Sequence, residues 1–550
     1  MENKILIYKG FIICALASIF VYANSLGGPF VYDDLAYVQR NPQIRSITSV
    51  SFFSPFSSYA PGLYRPMTNL SYAIDYSIFD LNPFGYHASN VLLHAIASGL
   101  TFLVLFLITG NFFAAFAAGI LFAVHPVHTE AVSWVSGRSE ILACIFVLLA
   151  LIYYLRGNIR WSSMFYFFGL LSKEVAAPLV FVLPLLCRRK SKNYLPYAVS
   201  LIAYLTLRIM ALGSLSVPME HIRTAGLSFV ERILMMIPVM VHYIRLMFLP
   251  TGLRVEYDWT SFSGLVTIFS AVIIALIISV LIRLRKNKNH LYFLCGAWFF
   301  IFLLPVMNII PIGEFVAERF IYLPSVGLCF LAGLLINDLF KNKNKVSTLL
   351  LIAILFSGIS IVRNAHWKSP EILWEKTLEL SPNAPHALQN LASIRLAQGE
   401  LDEAQDLVLR AIENWSDEPV LYFIGAQVYE GKGDNEKAGK MYDKSIELSL
   451  EDKYSMTESQ IGVAYLKLDR IYEALESFEK AKEENKYDPS IWNNLGIVYA
   501  YLGKYEDSLV AFDRAIELYE KISLRSAEEE NGYRGAIDNR KSLLEATEEL

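Results

Sequence analysis

The stretch that decides the fold is Ser25-Leu26-Gly27-Gly28-Pro29-Phe30-Val31-Tyr32-Asp33-Asp34-Leu35, which follows an apolar run from Ile5 to about Ala23 behind Lys4. A cleaved leader there would leave an exported chain. Residues Ser25 to Pro29 make a poor small-x-small cleavage site, and the run is long enough to cross a bilayer, so it reads as a retained anchor. The acid pair then stands just beyond the first crossing. Adjacent carboxylates repel, so at least one is expected to have a raised pKa or a cationic partner, which suits a general base at a membrane surface. The same pair has a plainer reading as the cap of a short interfacial helix, because Asp is a favoured N-cap residue.

Working outward, the 550 residues are 54% hydrophobic, too apolar for one soluble globule, and the apolar residues are unevenly placed. Up to Arg363 there are 27 Lys and Arg against 15 Asp and Glu, net +12; from Asn364 onward the balance is net −16. This predicts a membrane body followed by an acidic soluble part, and it argues against nucleic acid, whose phosphates need clustered Lys and Arg. Cys14, Cys144, Cys187, Cys295 and Cys329 all fall in apolar sequence without metal or CxxC spacing, so they read as small buried hydrophobes.

Apolar runs near 5–23, 88–108, 112–124, 139–155, 161–171, 175–187, 194–212, 231–249, 263–283, 289–308, 320–338 and 346–363 are the candidate membrane helices. Arg156 and Arg160, Arg188 to Lys192, Arg283 to Lys288, and Lys341 to Lys345 mark cytoplasmic loops by the positive-inside rule. The amino terminus is then inside, and the 24–87 loop outside. Three runs lie between two inside loops, so the run at 231–249 is assigned as a re-entrant or interfacial helix. The result is about 11 crossings and an external tail.

From Trp374 the pattern changes. Ala404, Ala438, Ala474 and Ser508 recur at the period of tetratricopeptide repeats, and Trp492, Leu495, Gly496, Tyr499, Gly503, Phe512 and Ala515 occupy the packing positions of one helix pair. The chain is thus expected to be all-α: a membrane body over 1–363, about four and a half repeats over 364–525, and a capping helix or frayed tail over 526–550. Stacked helix pairs build a superhelix with a concave face.

Charged and imidazole groups interrupt the apolar sequence at His125, His128 and Glu130 with Arg138, at Lys173-Glu174, at Glu256-Tyr257-Asp258-Trp259, and at Glu314 through Glu318-Arg319. Ionisable groups at membrane depth are costly unless paired or facing a wet cavity, so each is a site candidate. Under this topology all lie at outward helix ends and converge on Asp33 and Asp34. His125, His128 and Glu130 lack the spacing of a zincin. Lys173-Glu174 and Glu318-Arg319 have a structural reading as ion pairs, whereas the Arg138 and Arg319 guanidinium groups match a phosphate diester. The chain contains no GxxxxGK[ST] loop, GxSxG elbow or HExxH helix, so a nucleotide-driven transporter or soluble hydrolase is unsupported.

In combination these segments carry a resemblance. Phe30-Val31-Tyr32-Asp33-Asp34, Tyr64-Arg65-Pro66, Gly85-Tyr86-His87 through His94, His125-Pro126-Val127-His128-Thr129-Glu130 through Arg138, Lys173-Glu174, Asp258-Trp259, and Pro311-Ile312-Gly313 through Ser325 stand in order ahead of the repeats. The chain resembles the transmembrane and tetratricopeptide-repeat-containing protein O-mannosyltransferases, a branch of the membrane GT-C glycosyltransferases. It has fewer repeats than usual for that family, in keeping with a bacterial homologue in an inner membrane.

The resemblance implies a GT-C-type bundle and a polyprenyl-phosphate sugar donor, with mannose as the expected sugar. It also implies a hydroxyl acceptor on a polypeptide Ser or Thr, and inversion. Asp33 is expected as the base with Asp34 orienting it, and the reverse order stays open. Arg138, Lys173 and Arg319 are expected at the phosphate, and Arg65, His87, His125, His128, Glu130, Glu174, Asp258 and Glu318 as the supporting polar set. A divalent ion near Asp33 and Asp34 is compatible with the pattern but not demanded by it. The acceptor is expected at the concave face of the repeats, outside the membrane. The competing readings are a catalytically silent scaffold recruiting envelope-assembly partners and a lipid transporter; the second would show repeat halves that the membrane part lacks.

Overall fold

The computed structural model describes residues 2–47, 63–186, 193–213, 227–257, 263–286, 290–312, 314–451, 456–522 and 527–548. Asp258, Trp259 and Cys187 therefore lie outside the described residues. Each of the twelve apolar runs becomes one helix. They are α1 (Glu2–Tyr22), then, after a short α2 (Pro66–Phe79), α3 (Pro83–Thr109) and α4 (Phe112–Val124). A one-turn α5 (Thr129–Ser133) precedes α6 (Arg138–Leu155), α7 (Ile159–Ser172), α8 (Leu179–Leu186), α9 (Leu195–Leu212) and α10 (Phe229–Phe248). The last four are α11 (Gly264–Lys286), α12 (His290–Leu303), α13 (Tyr322–Leu339) and α14 (Lys343–His366).

Burial separates the bundle's centre from its rim. Of the span ending in α6, 89% is buried inside the protein, and of that in α13, 78%, but in α11 and α14 only 6% and 11%. Rim side chains such as Phe20, Phe269 and Ile354 stand exposed around the bundle. An apolar rim of this extent is stable only in lipid, so this is a multi-pass membrane protein. At the centre small residues let helices close up: a Cβ on Gly333 of α13 would stand 2.3 Å from the Ala114 carbonyl oxygen of α4.

Seven helices are long and apolar enough to cross unaided, and the bent pair Phe112–Val124 with Pro126–Ser133 makes an eighth. The remaining crossings expected from sequence belong to α7, α8 and α12, of 14, 8 and 14 residues. They are shorter than an unaided crossing needs and pack against their neighbours in the bundle. The end of α7 meets α2 where Thr68 donates to the Ser172 carbonyl (3.1 Å), and the end of α8 meets the start of α12 where His290 Nε2 lies 2.7 Å from the Leu185 carbonyl.

Helix α10 behaves differently. Near its start Arg232 Nε reaches the Asn308 carbonyl (3.4 Å), and near its end Tyr243 accepts from the Ala317 amide (3.2 Å) while the Met247 carbonyl lies 3.0 Å from His125 Nε2. Both ends touch loops at the acid-pair end of the bundle, as an interfacial helix would. Its buried residues Arg232, Met236, Val239, Tyr243 and Leu246 recur every three or four positions and form one inward stripe.

Ten helices follow: α15 (Pro370–Leu378), α16 (Pro385–Gln398), α17 (Leu401–Asn414), α18 (Pro419–Gly431), α19 (Asn435–Glu451), α20 (Glu458–Lys467), α21 (Ile471–Glu484), α22 (Pro489–Tyr501), α23 (Tyr505–Glu520) and α24 (Ala527–Glu548). Pairing is close because glycine stands where an aromatic lands: a Cβ on Gly496 of α22 would meet Phe512 of α23 at 2.5 Å, and Gly462 of α20 faces Phe478 of α21 in the same way. The array docks on the acid-pair end. One apolar cluster holds Val31, Trp134 and Val255 of the membrane body together with Trp367, Trp374, Leu388 and Leu391 of the helices that follow it.

Candidate active site

The acid pair sits in a turn made by an unusual residue. Tyr32 has a φ of 54°, a left-handed conformation that costs a bulky side chain on the order of 1–3 kcal/mol. Ring contacts offset it, for the phenol stacks on Trp134 (centroids 5.8 Å) and meets Trp374 of the first repeat helix edge-on (5.2 Å). The turn closes with the Asp34 amide donating to the Val31 carbonyl (3.0 Å) and runs into a single π-helical turn, Leu35–Gln39, a form common at functional sites.

The two acids receive different surroundings. Asp34 is fully buried; its Oδ1 accepts from the Ser136 amide (2.8 Å) and hydroxyl (2.5 Å), and its Oδ2 from the Val31 amide (3.2 Å). It stands at the N-cap position of the π-turn, yet its side chain makes no capping bond there, so the capping reading fails in its details. Asp33 is half-buried and makes no side-chain hydrogen bond among the described residues. Its charge instead faces Arg319, Glu314, His386 and Arg65. Burial pushes both carboxyls up, Asp33 to about 6 against the pull of Arg319, and Asp34 to about 7 against its hydrogen bonds from Ser136. The expected perturbation of the pair is present, with burial as its main cause.

Around Asp33 the sequence's polar islands meet. Arg319 donates through its guanidinium and its amide (2.9 Å) to Glu130 and lies over the Trp134 ring (5.2 Å). Arg65 pairs with Glu174 (3.2 Å). Lys173 pairs with Glu140 (2.5 Å) and faces the Phe320 ring (5.6 Å). Glu318 accepts from the Tyr257 hydroxyl (2.9 Å) and the Arg254 amide. Glu256 takes the Ala387 amide (3.0 Å) at the start of α16, and His386 bridges Glu256 (3.0 Å) and Glu314 (3.9 Å). A repeat helix thus completes the charge environment of the acid pair.

Other expected residues have structural partners. Arg138 does not face the Asp33 cleft. Its Nη1 is ion-paired with Asp75 (2.6 Å), Nε donates to Asn90 (2.7 Å), Nη2 donates to the Tyr86 carbonyl (2.9 Å), and the group lies over the Tyr72 ring (4.6 Å). With every nitrogen engaged and the side chain 1% exposed, the guanidinium has no edge left for a phosphate, which corrects the expectation from sequence. His128 spends Nδ1 on the Phe122 carbonyl (2.9 Å) and Nε2 on Ser325 (2.8 Å); His125 spends Nε2 on Met247 and Nδ1 on the Val127 amide (3.3 Å). His87 approaches the Pro29 carbonyl (3.4 Å), bracing the turn ahead of the acids. Among the described residues no three metal-ligating side chains come together.

Sequence reasoning passed over Asp75, Glu140, Ser136 and His386. Glu140 stands two residues from Arg138 in an apolar run, a signal that was legible. Ser136 and His386 carried none, since a serine in a loop and a histidine in a soluble repeat are ordinary.

Fold and site together define a class: a multi-pass helical membrane protein whose repeat array is docked over an acid-bearing first loop. The tetratricopeptide-repeat family models match residues 419–452, 459–488 and 489–521. A protein O-mannosyl-transferase of Caenorhabditis elegans is 28% identical over 435 residues, 74% of this chain and 62% of that one. A human protein O-mannosyl-transferase is 28% identical over 473 residues, 70% and 53%. A shorter stretch of 159 residues is 38% identical to a Drosophila melanogaster protein O-mannosyl-transferase, over 27% and 17%. The chain spans roughly half to three-fifths of the length of the first two relatives. Among solved structures, ArnT from Cupriavidus metallidurans, bound to undecaprenyl phosphate, aligns over 79% of this chain and 80% of its own at a TM-score of 0.39 and 13% identity. The chain is a homologue of the repeat-bearing protein O-mannosyl-transferases.

Proposed function

We propose that this protein is a GT-C glycosyltransferase that moves a sugar, mannose by the names of its relatives, from a polyprenyl phosphate to a Ser or Thr hydroxyl of a polypeptide. The observation that carries the reading is the asymmetry of the acid pair. Asp34 is held by Ser136, whereas Asp33 keeps a raised pKa and no hydrogen-bonded partner, as a general base must.

Asp33 takes the proton of the acceptor hydroxyl. The hydroxyl oxygen bonds to the anomeric carbon on the face opposite the phosphate, the carbon–oxygen bond to phosphate breaks, and its electron pair leaves on the lipid phosphate, inverting the centre. Phosphate is a good leaving group, so no general acid is needed. Arg319, Arg65 and Lys173 stabilise the charge that develops on the departing oxygen. Asp34 orients the turn, and Arg138 braces the start of α6 beside Ser136.

The reading places the first loop and repeats outside a bacterial inner membrane, with the repeats binding the acceptor. The test is release of lipid phosphate from polyprenyl-phosphate sugars by purified protein, with Asp33→Asn and Asp34→Asn alongside. Turnover lost in Asp33→Asn with an unchanged melting temperature supports the assignment; equal turnover by all three proteins ends it and favours the scaffold.

A further inference from the structure

The acid pair lies in a short stretch of chain that the repeat array holds at both ends. Before the pair, the Tyr32 ring meets Trp374 of α15 edge-on (5.2 Å) and stands 6.2 Å from the His386 ring of α16. Glu256 of the membrane body seats that corner of the array, accepting from the Ala387 amide (3.0 Å) and lying 3.0 Å from His386 Nδ1. After the pair, the opposite end of the array takes over. Arg40 Nε pairs with Asp488 (3.5 Å), the residue that caps α22, and the buried Gln39 side chain donates to Glu529 of α24. Arg45 secures the same segment, donating to the Gln39 carbonyl and lying over the Tyr76 ring (4.6 Å) and near that of Tyr487 (5.9 Å).

A single turn of backbone separates the two grips. The Asp33 carbonyl accepts from the Tyr37 amide (2.8 Å) and the Leu35 carbonyl from the Arg40 amide (2.8 Å), so the π-turn ties Asp33 to Arg40 by hydrogen bonds as well as by chain. This matters at Asp33 because its carboxylate has no hydrogen-bonded partner among the described residues; the backbone that carries it sets its direction. That backbone is strained at Tyr32, and such a turn persists only where its surroundings over-determine it. The membrane body supplies Trp134 against Tyr32 and Ser136 against Asp34. Tyr32 and the residues just past the π-turn find their further partners in the array.

We infer that the array is a working part of the active site: with Trp374 and His386 on one side of the acid pair and Asp488 and Glu529 on the other, it fixes the direction in which Asp33 points. Arg40 and Asp488 are positioning residues, since neither touches the reacting atoms. The inference rests on the reading of Asp33 as the base. It goes further in one respect: the array acts on the chemical step itself, so its effect persists when the acceptor is water, which needs no capture.

The test uses the full chain in detergent with polyprenyl-phosphate mannose as donor and water as acceptor. Water gives its proton to Asp33, its oxygen bonds to the anomeric carbon, and the lipid phosphate leaves with the electron pair of the broken bond, so the products are free sugar and lipid phosphate. Asp488→Asn keeps an oxygen for the Ser490 amide, because Asn caps a helix as well as Asp, and removes the charge that faces Arg40. Asp488→Asn and Arg40→Gln should each lower kcat about tenfold with the donor KM unchanged, as a displaced base does. The double variant should be no slower than either single one, because the two residues act as one unit, and Arg40→Lys should recover most of the rate. Hydrogen–deuterium exchange of the 31–40 amides should rise in Asp488→Asn. Arg40 lies in the first loop and Asp488 in the array, so a loss common to both and not deepened in the double variant cannot come from misfolding of either part. Unchanged kcat in both single variants overturns the inference, as does a loss confined to the donor KM or exchange that stays at the natural level. No lipid phosphate released by the natural chain, with exchange still raised in the variant, removes the transferase reading together with the catalytic role inferred here and leaves only the grip on the loop.

Discussion

The membrane body and the repeat array use the same charged residues under opposite conditions. In the body, Arg138–Asp75 and Lys173–Glu140 are ion pairs with side chains no more than 7% exposed. In the array, Lys440–Glu436 and Arg514–Glu517 sit on helix faces in water. Removing one partner from a buried pair leaves an uncompensated charge in a medium that cannot solvate it, a cost of about 3–5 kcal/mol. An exposed pair contributes about 0–1 kcal/mol, because solvent already satisfies both ends. Charge in the body is therefore architecture or chemistry, and charge on the outer faces of the array is mainly solubility.

The contrast can be sharpened at its most extreme point, within the acid pair. Asp33→Asn should lower transfer by roughly 10²–10⁴-fold, the usual worth of a positioned base, with the melting temperature unchanged. Asp34→Asn should act mainly on stability, lowering it by about 1–3 kcal/mol as a buried acceptor set with Ser136 is broken, measured by thermal unfolding in detergent. If both variants keep their stability and lose activity equally, the division of labour between the two acids is wrong.

Next in size is Asp75→Ala, which strands the Arg138 guanidinium and should cost about 3–5 kcal/mol, read as lost monodisperse protein on gel filtration. Lys440→Ala in the array should change stability by less than about 0.5 kcal/mol in the same assay. A comparable loss in the two would break the comparison. The pH dependence is milder near neutrality. A base works ionised, and burial raises Asp33 to about 6, so kcat/KM should be level above that value and fall toward tenfold per pH unit below it. A limb centred near 4 would mean that Asp33 is solvated in the working enzyme.

Much of this was legible in the chain. The twelve apolar runs each became a helix, because burial in lipid leaves a backbone no alternative but to bond to itself. The repeat period was visible because Gly496 must stand where Phe512 packs. The convergence of Asp33, Arg65, Glu130, Lys173 and Arg319 followed from the cost of isolated charge in an apolar chain. Arg138 was misassigned for the same reason that made it conspicuous. A buried arginine needs an anion, and the sequence could not say that Asp75, not a phosphate, supplies it.

Amino-acid order alone determined the membrane helices, the repeats and the identity of the charged groups, since those depend on periodicity and on solvation costs that each residue carries with it. Only the tertiary structure decided which charge meets which: that Ser136 takes Asp34 and leaves Asp33 open, that α10 lies along one end of the bundle, and that Arg40 of the first loop pairs with Asp488 of the repeat array. Pairing is a matter of distance between residues far apart in the chain, and local sequence does not encode such distances.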